Sequence, residues 1–188
     1  MHSRRPSRRA RTKVQRICVI GPPGCGKTTL AQELTRRLGI RYLDFDATVL
    51  LPHWERVPRE QRMAVFEPLT RDGDWVTDGH LRSGRDWEQL ILARADTVIW
   101  LDLPRWQTVV SVTLRTLWNT VTQRPAFGGN VETFSMLWSP EHSIVLGWTM
   151  HEPLRREYIG LFSDPANRGK TLLRFTSRGA LRWWLREL

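Results

Sequence analysis

The sequence predicts an α/β domain: a parallel sheet covered by helices on both faces. Short apolar runs rich in β-branched residues alternate with helical stretches along the chain. The first of those runs ends in a glycine-rich loop that opens a helix, "GPPGCGKTTL" at 21–30. A length of 188 residues suits one such domain with a full core and is too short for two comfortable ones.

The elements follow in order. "VQRICVI" (14–20) reads as a buried strand. Thr28 to Leu38 reads as a helix, with Leu30, Leu34 and Leu38 on one stripe and Gly39 as its stop. "RYLDFD" (41–46) is a second strand. Residues 59–71 form a helix with Met63, Phe66 and Leu69 as apolar positions, and "DWVTDG" (74–79) is a third strand. A helix over 85–94 precedes "DTVIWLDLP", the clearest strand of all. Pro104 suits the first turn of a helix that continues to about Trp118. Residues 122–143 have a poor pattern around "RPAFGGN" and read as a mobile segment. A helix near 150–161, the strand "KTLLRF" and a helix over Ala180–Leu188 complete the chain. Each strand-to-strand step contains a helix, so the sheet is parallel and needs cover on both sides.

Composition narrows the class. Apolar residues at 40% and charged residues at 26% are ordinary for a globular protein. The net charge is +10, but Arg4, Arg5, Arg8, Arg9, Arg11 and Lys13 supply +6 within residues 1–13 with no acidic residue. That stretch buries nothing and reads as a disordered basic tail, either an arm for nucleic-acid phosphates or a solvated leader. The domain proper is expected over 14–188. No membrane-length apolar run follows, so no membrane partner is expected. Cys18 falls in a strand and Cys25 in the glycine loop, places that argue against a disulfide and fit a reducing cytoplasm. Most of the ten tryptophans are expected to pack rather than stack on bases.

The loop carries chemistry. Gly21, Gly26, Lys27 and Thr28 satisfy G-x-x-x-x-G-K-[ST], and the motif lies between a strand and a helix as its mechanism requires. Backbone N–H groups from Gly21, Pro22, Pro23, Gly24, Cys25, Gly26, Lys27, Thr28 and Thr29, less those of the two prolines, would cradle a triphosphate at a positive helix end. Lys27 would reach the β- and γ-phosphates of ATP, and the Thr28 hydroxyl would bind Mg²⁺. Magnesium also wants a carboxylate. Two strands end in aspartate, Asp78 and Asp102; Asp78 is the metal-side choice if the third strand lies beside the first. Asp102, before Leu103 and Pro104, suits a turn or hinge at least as well.

"LGIRYLDFD", "WERVP", "WVTDGH" and "RADTVIWLDLPRW" together resemble P-loop nucleoside/nucleotide kinases labelled DNA topology modulation protein (FlaR-like), relatives of adenylate kinase. The resemblance covers roughly 15–188. It implies a three-layer αβα P-loop kinase fold with a five-stranded parallel sheet and a mobile helical lid at about 105–145. The family's Asp-to-Trp spacing matches Asp46 to Trp54 and implies Asp46 as the carboxylate beside the acceptor hydroxyl, there to orient it or take its proton. The D-x-D pair also resembles shikimate kinase, which would put Asp44 on the metal side and Asp46 on the acceptor side; alternatively one of the two caps the next turn. The family's "DGN" is "DGH" here, placing His80 at the acceptor, with Arg82, Arg85 and Arg94 following; one or more would hold an anionic acceptor and at least one is a plain salt-bridge partner. "DGH" lacks the glycine triplet expected of shikimate kinase. Arg115 and Arg124 are the candidates for cations over the migrating phosphoryl group. Where relatives often carry another arginine this chain has Ser111, so Arg105 or Arg124 must compensate or transfer is slow. Gly128 and Gly129 suit a hinge, Asn130 and Glu132 a helix start, and Arg178 in "RFTSRG" would stack on the base.

The expected activity is transfer of the γ-phosphate of ATP to a small nucleoside- or nucleotide-like acceptor. Two alternatives stay open: a kinase acting on a nucleic-acid end or tRNA, and a nucleotide-binding DNA regulator with little transfer activity.

Overall fold

The computed structural model describes residues 15–49, 55–79, 86–122 and 143–188. Five strands, β1 (Arg16–Ile20), β2 (Arg41–Asp44), β3 (Trp75–Gly79), β4 (Thr97–Leu101) and β5 (Thr171–Phe175), form one sheet in the order β2-β3-β1-β4-β5. All four neighbouring pairs are parallel. The first crossover runs to one side of β1 and the third to the other. The loop after β1 therefore opens at a topological switch point, where α/β sheets bind ligands.

Among the described residues the helices are α1 (Lys27–Leu38), α2 (Phe45–Val49), α3 (Arg59–Arg71), α4 (Asp86–Arg94), α5 (Arg105–Thr122), α6 (Ser143–Thr149), α7 (His151–Ser163) and α8 (Arg178–Glu187). The period-2 alternation of β1 divides the core. Cys18 and Ile20 face one side with Trp75, Val98 and Trp100, under Phe66 of α3, Ile91 of α4 and Leu154 and Tyr158 of α7. Ile17 and Val19 face the other with Val76, Ile99 and Leu101, under Leu30, Ala31 and Leu34 of α1 and the edge of α8. Full burial of each such side chain stabilises by about 1.5–3 kcal/mol. The three-layer, five-stranded parallel architecture is the one expected from the sequence.

Several boundaries differ. The second strand stops at Asp44 and the chain turns at once into α2, because the Asp44 carboxylate accepts the Ala47 N–H at 2.9 Å and caps that helix. Helix α5 runs one turn past Trp118, α6 was not foreseen, and α8 starts at Arg178, where the Ser177 hydroxyl accepts the Ala180 N–H. Among the described residues the tryptophans divide evenly between packed and exposed. Of the eight described, Trp75, Trp87, Trp100 and Trp184 pack, while Trp106, Trp118, Trp148 and Trp183 are exposed. Residues 1–14 and 123–142 lie outside the described residues, and with them the basic tail and the central part of the expected lid.

Candidate phosphate-binding site

Three glycines shape the loop after β1, each with positive φ: Gly21, Gly24 and Gly26. Gly26, at φ +98, turns the chain into α1 as its N-cap, and its carbonyl takes the Leu30 N–H at 3.0 Å. Gly24 answers to packing as well. A Cβ there would meet the Thr108 carbonyl oxygen at 2.2 Å, so α5 lies directly against the loop. The Lys27 ammonium is buried and donates to the carbonyls of Gly21 and Pro22, both at 3.0 Å. Those two bonds span the loop and fix the lysine over its rim. Burial raises the Cys25 thiol above its ordinary value, with Lys27 opposing more weakly, so the loop cysteine is packing rather than a nucleophile.

Beside the loop, α1 and β3 meet through side chains. The Thr28 hydroxyl donates to Asp78 Oδ2 at 2.5 Å, and the Tyr42 hydroxyl donates to Asp78 Oδ1 at 2.7 Å. Asp78 is buried, and among the described residues no lysine or arginine pairs with it. Register places Asp44 of β2 opposite Asp78, so two carboxylates share this strand-end edge. Among the described residues this buried carboxylate is held by hydroxyls, one of them from the loop threonine, a hard oxygen set that suits Mg²⁺.

The five-stranded parallel sheet with its flanking helices matches the fold of solved structures. A shikimate kinase from Acinetobacter baumannii, solved with shikimate, superimposes with a TM-score of 0.54 at 20% identity, covering 93% of this chain and 90% of that one. The chain has the P-loop kinase fold. Residues 17–102 also match the family model of the ATPase family associated with various cellular activities (AAA). A shikimate kinase from Halorhodospira halophila is 34% identical over 76 residues, 34% of this chain and 43% of that relative. A Caenorhabditis elegans mitochondrial sorting homolog is 38% identical over 50 residues, 27% of this chain and 15% of the relative. The chain thus matches less than half the length of either curated relative.

Within this P-loop kinase fold the expected site residues divide. Gly21 to Thr29, Asp44 and Asp78 gather at the C-terminal ends of β1, β2 and β3. Asp46 stands in α2, two residues after Asp44; its side chain, with His80, Arg82, Arg85 and Arg124, lies outside the described residues. Arg94 belongs to structure: it holds Glu67 at 2.9 Å and the Thr70 hydroxyl at 2.8 Å, away from the loop. Arg115 is exposed on α5. Arg178 reaches across to Ser111, its Nη2 donating to the hydroxyl at 2.6 Å, so a guanidinium does stand beside position 111. Arg105 pairs instead with Glu152 at 3.5 Å and lies over the Trp148 ring at 5.2 Å.

Asp102 takes neither a metal-like nor a hinge-like environment. Arg155 Nε meets its Oδ1 and Arg174 Nε its Oδ2, each at 3.0 Å. A cavity of about 350 Å³ opens beside this cluster, between Asp102, Arg105, His151 and Arg174. Sequence reading missed Tyr42. The signal was present: Tyr42 and Asp44 share one face of β2, which lies beside the strand that carries Asp78.

Proposed function

We propose that the chain is an ATP- and Mg²⁺-dependent kinase that moves the γ-phosphate to a small nucleoside- or nucleotide-like acceptor. The observation that carries this reading is the Thr28–Asp78 contact, which couples the loop helix to a buried strand-end carboxylate. Loop N–H groups and Lys27 would hold the triphosphate, while Thr28 and Asp78 would hold the magnesium ion. The bound ion supplies charge neutralisation for in-line transfer. Tyr42 keeps the Asp78 carboxylate oriented, and Asp44 with Asp46 stands at the acceptor edge, where a carboxylate can orient a hydroxyl or take its proton. Arg115 and Arg124 would be the cations over the migrating phosphoryl group, Arg178 would stack on the base, and His80, Arg82 and Arg85 would face the acceptor. The shikimate kinase relatives support a small-molecule acceptor, and the "DGH" turn argues for an acceptor other than theirs.

The test uses γ-labelled ATP with Mg²⁺ and pooled nucleosides, nucleoside monophosphates, polyol acids and 5′-hydroxyl DNA and RNA. Label should reach one small-molecule pool and fall by about 10²–10³ with Lys27→Ala. Label appearing only in inorganic phosphate overturns the kinase reading. The charge of residues 1–13 favours a second reading, a nucleic-acid partner held by the tail. Deleting that segment should abolish DNA or RNA binding and leave small-acceptor turnover in place. Free cysteines at 18 and 25 fit the reducing cytoplasm that this role implies. Among the described residues no helix is long and apolar enough to cross a membrane.

A further inference from the structure

Helix α5 is amphipathic in the reverse of the usual sense. Its buried positions are Thr108, Val112, Thr116 and Thr120, three of them hydroxyl-bearing. Thr108 and Thr120 bond back to carbonyls of their own helix, and the Thr116 hydroxyl is buried without a partner. The opposite face carries Trp106, Val110, Leu114, Leu117, Trp118 and Val121, between 42% and 72% exposed. At 3.6 residues per turn these six fall within roughly one third of the helix circumference. Residues 110, 114, 117 and 121 keep the four-three-four spacing of a helix-pairing seam.

An apolar face of this size wants a cover. The six side chains expose on the order of 600 Å² of apolar surface, at the upper end of what a monomer shows in one patch and approaching the ~800 Å² per partner of a standard interface. We propose that α5 is a self-association surface, on which a second copy of this chain packs its own α5 antiparallel along the 106–121 stripe. A two-fold interface joins a patch to itself, so one self-complementary apolar seam is sufficient. The helix ends agree. The first turn of α5 has no acidic residue and the last turn no basic one. An antiparallel partner brings its carbonyl end to the first and its N–H end to the second, compensating both dipole ends. A lipid surface would want a basic polar face, yet α5 carries only Arg105 and Arg115, and its polar face is turned into the protein.

The experiment is sedimentation velocity of the full chain across the micromolar range, independent of any phosphotransfer assay. The wild type should sediment as a dimer, and Leu114→Glu should weaken association at least 10²-fold with unchanged circular dichroism. Leu114→Cys, placed near the proposed axis, should form a disulfide-linked dimer on oxidation, since Cys18 and Cys25 are both buried. This second variant decides the matter if the glutamate variant fails to fold. A wild type that stays monomeric overturns the proposal. So does a dimer indifferent to Leu114→Glu, or a cysteine variant that does not cross-link.

Discussion

Asp78 and Asp102 invite comparison because they occupy equivalent places, at or just past the C-terminal ends of β3 and β4, and are equally buried. Their partners differ in kind. Asp102 is enclosed by two guanidiniums, Arg155 and Arg174, the latter stacked 4.5 Å over Trp100. Asp78 receives two neutral hydroxyls. A carboxylate paired with cations has its charge answered and little left for a metal. One whose partners among the described residues are neutral dipoles has no counter-charge beside it and suits a bound cation. Burial and position do not distinguish the two residues; the charge of the partners does.

The strongest test of that contrast is Asp78→Asn, which should lower phosphotransfer by roughly 10²–10³ and raise the Mg²⁺ concentration needed for half-maximal rate. The matching Asp102→Asn should leave rate and Mg²⁺ dependence within a few-fold. It should instead lower the unfolding free energy by about 1–3 kcal/mol, since two guanidiniums lose their acceptor while keeping partial access to water. Equal Mg²⁺ phenotypes in the two variants would break the comparison. Tyr42→Phe removes one of the two hydroxyls on Asp78 and leaves the other, so a loss of about tenfold in Mg²⁺ affinity is expected; no change would mean that Thr28 alone orients the carboxylate.

The smallest effect is an alkaline one. Burial, then the hydrogen bond to Asp78, raises the Tyr42 phenol above its ordinary value, and burial raises Tyr158 as well. These are the chain's two tyrosines. A phenol raised in the folded state favours the protonated form there, so its contribution to stability is full below about pH 10 and is lost as pH rises beyond it. Tyrosinate absorbance should therefore stay silent in the folded chain and appear together with alkaline unfolding. A tyrosinate signal that precedes unfolding would place Tyr42 in water.

What was legible in the sequence was local. The glycine loop, the strand before it and the helix after it announce themselves within 25 residues, and the parallel order follows from alternation. Partners of Asp78 and Asp102 were not legible, because Tyr42 lies 36 residues away from one and Arg155 and Arg174 lie 53 and 72 from the other. Asp44 was legible as a pair of alternatives, and contact with the Ala47 N–H gives it the capping role. Helix α5 teaches a different limit. Periodicity identifies an apolar face but not its direction, and here the threonine face is the one turned inward.

Mechanics follow from Gly24. With a would-be methyl 2.2 Å from the Thr108 carbonyl, loop and helix have no clearance between them. A displacement of the loop by a bound phosphate would be handed to the first turn of α5 instead of being absorbed. Eighteen residues of helix make a pointer about 27 Å long, so a small tilt at Arg105 would become a wide sweep at Thr122.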